Sequence, residues 1–115
     1  MQQSGLYQLE EETQWENVGN GISRKVFGYN EHIMLVKVKF EKGAIGQLHS
    51  HHHTQVSYVE SGVFEMTIGE EIKTIKAGDG FYVPPHMEHG LRCLKAGLLI
   101  DVFNPLREDF QRKRF

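Results

Sequence analysis

Histidines are concentrated in one stretch of the chain, residues 43–62, which reads GAIGQLHSHHHTQVSYVESG. It holds four of the seven histidines, and Gln55 follows them closely. Histidine is the side chain that most often binds metal ions. If the chain is extended here, His49 and His51 point to the same face, because residues i and i+2 of a strand do so. The spacing therefore favours a metal site that these two imidazoles begin.

A second pair of histidines lies in the stretch PPHMEHG at 84–90. These residues, His86 and His89, are far enough along the chain to belong to another strand, so either could complete the site from across a sheet. We expect His52 and His53 to be loop residues, either exposed or next to the ligands rather than bound to the metal.

The elements that must position these residues are short strands. Alternation of apolar and polar residues begins near Trp15 and is clear in 32–40, where lysines separate apolar positions. Stretches rich in Gly, Pro, Asp and Lys predict turns between the strands. The predicted turns fall at 42–43, 61–62, 69–70, 77–80 and 95–97. Many short strands at this spacing indicate an all-β sandwich or barrel.

The length of 115 residues predicts a single domain. We expect residues 1–14 to form an N-terminal arm or short helix that packs through Leu6, Tyr7 and Leu9. The barrel should occupy 20–104, and 105–115 should be a polar C-terminal tail. The basic run 112–114 is expected to be solvated.

Composition excludes several classes of function. A formal net charge of −2 gives no reason to expect a nucleic-acid partner, and no apolar run is long enough for a membrane span or a signal peptide. The single cysteine, Cys93, excludes an intrachain disulfide and suits a reducing compartment. We therefore expect a cytoplasmic protein in which Cys93 is a buried, unreactive thiol.

Two spaced motifs resemble those of the cupins. The first is Gly43-x5-His49-x-His51-x3-Gln55-x6-Gly62, in which Gln55 stands where the family usually has Glu. The second is Gly78-x5-Pro84-x-His86-x2-His89-x3-Cys93, in which His86 and Cys93 replace the usual Gly and Asn. The resemblance implies an all-β, jelly-roll barrel, or double-stranded β-helix, that holds a divalent transition metal such as Ni, Zn, Fe or Mn.

The resemblance also implies the ligand set, which is His49, His51, Gln55 and His89. A neutral amide in place of a carboxylate would leave the ion its full charge. Such an ion should bind an anionic ligand more strongly and be held less tightly by the protein.

Longer segments resemble one subgroup of small cupins, the pectin-degradation type, which converts 4,5-unsaturated monouronates from pectin or alginate into linear keto-uronates. The segments include KAGDGFYVPPHMEHG and the ending LLIDVFNPLREDF. The resemblance implies functional roles for Gln55, Asp101 and Phe103, with the Asp in proton transfer. It therefore implies an enzyme of the isomerase or lyase type that acts on a small anionic sugar.

The last strand is compatible with that role, because Leu99, Asp101 and Phe103 share one largely apolar face. A carboxylate on such a face is costly unless it is paired or functional. The alternative is that Asp101 faces outward and accepts hydrogen bonds from a loop. Candidates for binding the substrate, among which the sequence does not choose, are Arg24, His86, Arg92 and Arg107.

Two other functions compete with this one. Three imidazoles also suit Fe(II) in a cupin dioxygenase, where Cys93 beside the site could matter for redox behaviour. The chain could instead be a sugar-binding or sensing module without catalysis, although 115 residues leave no room for an attached helix-turn-helix domain. Apolar faces at Ile33/Leu35 and at 98–102 are candidates for the interface of a homodimer.

Overall fold

The structure, a computed structural model that describes residues 2–111, consists of antiparallel strands with two short 3-10 turns. The strands are β1 (Glu16–Gly19), β2 (Ile22–Asn30), β3 (Ile33–Phe40), β4 (Ile45–His49), β5 (Thr54–Ile68), β6 (Glu71–Lys76), β7 (Gly80–Val83) and β8 (His89–Asn104). The 3-10 turns are Glu10–Glu12 and Glu108–Phe110. Neither helical segment within 2–111 has the length or the apolar character needed to cross a membrane.

The sheet is organised around its two longest strands, β5 and β8. Its main order is β1-β2-β3-β8-β5-β6, with β4 paired to β8 and β7 paired to β5. Both long strands exchange neighbours along their length: β8 pairs with β3 near its end and with β4 near its start. They also pair with each other from Thr54↔Asn104 to Ile68↔His89. The result is the all-β barrel that the strand pattern predicted.

Two predicted turns, at 61–62 and 95–97, are wrong. The chain does not reverse there, because β5 and β8 run through both positions with irregular pairing. A Cβ on Gly97 would lie 2.1 Å from the Ser61 carbonyl oxygen, and one on Gly62 would lie 2.6 Å from the Gly97 Cα. These glycines therefore allow two strand backbones to touch and bend together, whereas the sequence pattern alone suggested that the chain turns.

Apolar side chains from the inner faces form two clusters. One contains Phe40, Val59, Phe64, Cys93 and Leu99, and the other contains Met34, Val36, Phe103 and Leu106. Cys93 is 1% exposed, and burial raises the pKa of its thiol. It is thus the unreactive, buried thiol that its apolar surroundings in the sequence predicted.

The N-terminal arm is held by polar contacts, which corrects the prediction of apolar packing. Leu6 and Tyr7 are 94% and 86% exposed. Instead, the buried ammonium of Lys25 lies 2.5 Å from a carboxylate oxygen of Glu10. The hydrogen bonds that Glu10 accepts from Lys25 and Lys37 hold the pKa of Glu10 well below its ordinary value. The predicted basic run 112–114 lies outside the described residues.

Candidate metal centre and active site

Strands β4 and β8 bring the first two candidate ligands together. His49, the last residue of β4, pairs directly with His89, the first residue of β8, and their ring centroids are 4.4 Å apart. The close approach depends on Gly90, where a Cβ would meet the Gly46 carbonyl oxygen at 2.8 Å. The two histidines therefore meet because the backbones of their strands are nearly in contact.

His51 reaches the same place from a loop and not from the strand that the spacing predicted, since β4 ends at His49. Its carbonyl oxygen accepts a hydrogen bond from the backbone N–H of His86 at 2.7 Å, which fixes the loop. The ring of His51 lies 4.8 Å from that of His89 and 5.6 Å from that of His49, between centroids. Ligand atoms of these three histidines all lie within 4.8 Å of one another.

Each of the three imidazoles has its Nδ1 beside a backbone carbonyl oxygen. The distances are 2.9 Å from His49 to Gln47, 3.2 Å from His51 to His53 and 2.9 Å from His89 to Met87. A carbonyl accepts a hydrogen bond and cannot donate one, so Nδ1 carries the hydrogen and Nε2 keeps its lone pair in His49 and His89. In His51 the tautomer with the hydrogen on Nδ1 is the one that leaves Nε2 free for a metal. Histidines that bind metals are usually held in this way.

Two of the three histidines, His51 and His89, are also poised to be neutral. Burial, the charge of Arg107 and the neighbouring imidazoles lower the pKa of His51 to about 4, and burial lowers the pKa of His89. A neutral imidazole is the form that binds a metal. The donor set therefore fits a divalent transition metal.

Gln55 supplies a fourth donor from β5. Its side chain is buried, and its Oε1 lies 3.1 Å from Nε2 of His51. These atoms form a hydrogen bond when the proton of His51 is on Nε2, whereas both are acceptors when it is on Nδ1, the tautomer that binds a metal through Nε2. A spacing of 3.1 Å does suit two ligands of one ion, since metal–ligand bonds of about 2.1 Å at a right angle separate their donors by about 3.0 Å.

Asp101 faces inward, and not outward as the alternative reading of β8 allowed. It is 8% exposed and lines a cavity of about 250 Å³ together with Gln55, His49 and His89. Burial raises the pKa of Asp101 to about 6, although a hydrogen bond from Ser57 and the charge of Arg107 oppose that rise. Such a carboxyl group can exchange a proton near neutral pH.

Aromatic rings and two arginines form the rest of the cavity wall. Phe103 is 2% exposed and stands edge-on to Phe110, with centroids 5.8 Å apart. The guanidinium groups of Arg24 and Arg107 lie 3.9 and 4.2 Å from the ring centroid of Phe110. The positive charge of Arg107 lowers the pKa of His51 and opposes the rise in the pKa of Asp101.

The structure does not bring two predicted substrate-binding residues to the cavity. Arg92 is exposed, 56% by its side chain, and lies beside Glu65 on the outside of the barrel. The His86 side chain is also exposed and is absent from the cavity wall, as is Cys93. Arg92 points outward because its neighbours on β8, Leu91 and Cys93, face inward and side chains alternate along a strand. His86 contributes to the site through its backbone N–H, which donates a hydrogen bond to His51.

Two residues near the site, Ser57 and Phe110, were not singled out from the sequence, whereas His53 was. Ser57 follows Gln55 by two positions and so lies on the same face of β5. The alternation of this strand in the sequence could therefore have predicted that Ser57 lies near the site. Phe110 lies in a polar ending whose approach to the cavity no periodicity revealed. His53 was expected to be exposed or beside the ligands, and it is 4% exposed with neither ring nitrogen hydrogen-bonded.

A second group of ligand-type atoms lies outside the cavity. It consists of His52, His53 and Glu108, and Nε2 of His53 is 3.7 Å from Oε1 of Glu108. Two of these three side chains are exposed. The group in the cavity is therefore the candidate metal centre.

Comparison with known proteins agrees with this geometry. The cupin domain family matches residues 36–103, which is more than half of the chain. The chain belongs to the cupin family. It is 42% identical over 106 residues to the pectin degradation protein KdgF of Dickeya dadantii strain 3937, a match that covers 90% of this chain and 96% of that protein.

Two solved structures are similar to this cupin over nearly their whole length. An RmlC-like cupin from Shewanella frigidimarina NCIMB 400 has a TM-score of 0.93 and 48% identity, covering 96% of this chain and 99% of that one. KdgF from Halomonas sp. has a TM-score of 0.88 and 38% identity, covering 93% and 99%. The all-β cupin fold predicted from the two motifs is thereby confirmed.

Removal of one ligand should abolish stabilisation by metal. Adding Zn²⁺ to the metal-free protein should raise its melting temperature by several degrees, because an ion that binds the folded state stabilises it by about 2.7 kcal/mol at 100 times Kd. His89→Ala should lose this shift, as measured by differential scanning calorimetry. His86→Ala is the matched control and should keep it. Equal shifts in the two variants would contradict the ligand assignment.

Proposed function

We propose that this cupin is a metal-dependent enzyme that opens the ring of 4,5-unsaturated monouronates, released from pectin or alginate, and yields linear keto-uronates. The observation that carries the proposal is a buried carboxyl group, Asp101, that shares one cavity with Gln55, His49 and His89, while the ligand atoms of His51 lie within 4.8 Å of those of the other two histidines. The similarity to KdgF, a pectin degradation protein, supports the substrate class.

The proposed metal ligands are His49, His51, Gln55 and His89. A divalent ion held by them would supply a Lewis acid for the carboxylate and ring oxygen of the substrate. This ligand set contains no carboxylate, so the charge of the ion would be opposed by Asp101 nearby and not by a ligand. This arrangement favours an anionic sugar as the ligand.

Asp101 is the proposed proton carrier. In the ring-opening step, its carboxylate takes the proton of the C1 hydroxyl while the bond between C1 and the ring oxygen breaks. The electrons of that bond go to the ring oxygen as C1 becomes an aldehyde. The C5 enolate that results becomes a ketone when Asp101 returns the proton to C4, so the reaction is an isomerisation without net gain or loss of atoms.

Arg107 and Phe103 are proposed to orient the sugar. The Nε and Nη2 atoms of Arg107 donate hydrogen bonds to Asp109 at 3.0 and 2.8 Å, which holds the guanidinium against the ring of Phe103 and leaves Nη1 as the nitrogen that does not contact Asp109. A charge held in this way can bind the substrate carboxylate. Arg24 lines the same cavity and is a second candidate.

The protein is further proposed to form a homodimer through the outer face of the barrel. Val56 on β5 and Tyr82 on β7 are paired with each other and are about half exposed. On the neighbouring strands, Val102 of β8 pairs with Val56, and Leu35 of β3 pairs with Val102. An apolar surface that spans four strands is suited to a partner.

We also propose that the protein is located in the cytoplasm.

Replacement of the proton carrier should stop catalysis without releasing the metal. Asp101→Asn should lower kcat by about 10²–10⁴-fold, the usual contribution of general acid–base catalysis. The measurement is loss of the conjugated absorbance of the unsaturated monouronate. Asp79→Asn, on a turn away from the cavity, should keep the wild-type rate. A full rate for Asp101→Asn would disprove its role.

The arginine assignment predicts a change in KM. Arg107→Lys should raise KM about 10–100-fold, because a charged hydrogen bond contributes roughly 1.5–3 kcal/mol and lysine lacks the planar fork. Arg92→Lys, on the outside, should leave KM unchanged in the same assay. A larger effect for Arg24→Lys than for Arg107→Lys would transfer the role to Arg24.

The dimer proposal is tested by sedimentation equilibrium. Wild-type protein should have about twice the mass of the chain at micromolar concentration. Val56→Lys should yield a monomer, because its ammonium would be buried at the interface without a partner. A wild-type protein that remains monomeric throughout would contradict the proposal.

A further inference from the structure

Ser57 is a buried polar residue that the mechanism above does not use. It lies on β5, two residues after the ligand Gln55 and opposite the proton carrier Asp101 on β8. Its side chain is 9% exposed. Its Oγ accepts a hydrogen bond from Nε2 of Gln55 at 3.0 Å and donates one to Oδ1 of Asp101 at 2.6 Å. One hydroxyl group therefore connects the metal centre with the proton-transfer group.

The direction of these two bonds follows from the number of protons available. A carboxylate can only accept, and a distance of 2.6 Å is typical of a hydroxyl donating to a charged oxygen. The single hydroxyl proton of Ser57 is thus used by Asp101. Its oxygen is left as an acceptor, so Gln55 must present the NH₂ group of its amide to Ser57.

The orientation of the Gln55 amide matters because its two ends are nearly the same size but opposite in function. With NH₂ towards Ser57, Oε1 faces Nε2 of His51 at 3.1 Å. In the tautomer that binds metal, with the hydrogen on Nδ1, that nitrogen carries no proton, so a rotated amide would donate its NH₂ to His51 and form a hydrogen bond there. The rotated form would be favourable without metal, but it would offer no oxygen to an ion.

We infer that Ser57 is a positioning residue that prevents this rotation and keeps Oε1 of Gln55 directed at the metal. The inference rests on the proposed metal centre and is independent of the substrate. Ser57 has no contact of its own with the ion. It stabilises one of the two orientations of the Gln55 amide by accepting a hydrogen bond from it.

The test measures metal affinity and not turnover. Zn²⁺ is titrated into metal-free protein in competition with a chromogenic chelator. Ser57→Ala should weaken binding about 10–100-fold, the range seen when groups that orient metal ligands are removed. Ser57→Thr keeps the hydroxyl and should bind within a few-fold of wild type.

A second background separates positioning from a general structural role. Glutamate has two equivalent oxygens and cannot be misoriented, so Ser57→Ala should cost little affinity in a Gln55→Glu protein. The inference is overturned if Ser57→Ala binds Zn²⁺ as wild type does, or if it loses the same factor in both backgrounds. Because activity is not measured, failure of the uronate assay would leave this result unaffected.

A measurement on the unaltered protein guards against variants that fail to fold. In the zinc-loaded wild type, the side-chain NH₂ protons of Gln55 should show nuclear Overhauser contacts to the β protons of Ser57. Contacts to the ring of His51 in their place would mean that the amide is rotated, and would overturn the inference.

Discussion

The antiparallel pairing of β5 with β8 is the constraint on which the rest of the site depends. It sets Gln55 opposite Phe103 and Ser57 opposite Asp101, with all four side chains on the inner face. At the other end of the same ladder, Ile68 pairs with His89, whose second neighbour is His49 on β4. A shift of one residue in this register would turn the acid and the amide to the outside.

This register brings several polar groups together inside the barrel, and they are arranged to satisfy one another. Gln55 and Asp101 share the hydroxyl of Ser57, while the three imidazoles give their Nδ1 protons to backbone carbonyls. Burial of unpaired polar groups is unfavourable. Among these ligands, the acceptors that remain are the Nε2 lone pairs and the amide oxygen, which are the atoms that a cation would bind.

Much of this could be predicted from the sequence because β-strands convert local alternation into a shared face. The motif spacing identified His49, His51 and His89, and alternation around Asp101 showed that an acid lay among apolar neighbours. The narrower resemblance supplied the substrate class, which no periodicity could have revealed.

Other features depended on contacts between distant parts of the chain. Gly62 and Gly97 suggested turns, but their purpose is to let two strands touch, and that contact is invisible until both strands are placed. Arg24 and Arg92 could not be distinguished without knowing which face each presents. Phe110 approaches the cavity from an ending that has no pattern of its own, since packing of Leu106 against the barrel determines its position.

The central claim is that one ion is held by three imidazoles and the amide of Gln55. The most direct test is an anomalous difference map from a crystal of the zinc-loaded protein, recorded at the zinc absorption edge. We expect a peak about 2.0–2.2 Å from Nε2 of His49, His51 and His89 and from Oε1 of Gln55. A peak bound through Nδ1 atoms, or one confined to His52, His53 and Glu108, would contradict the account.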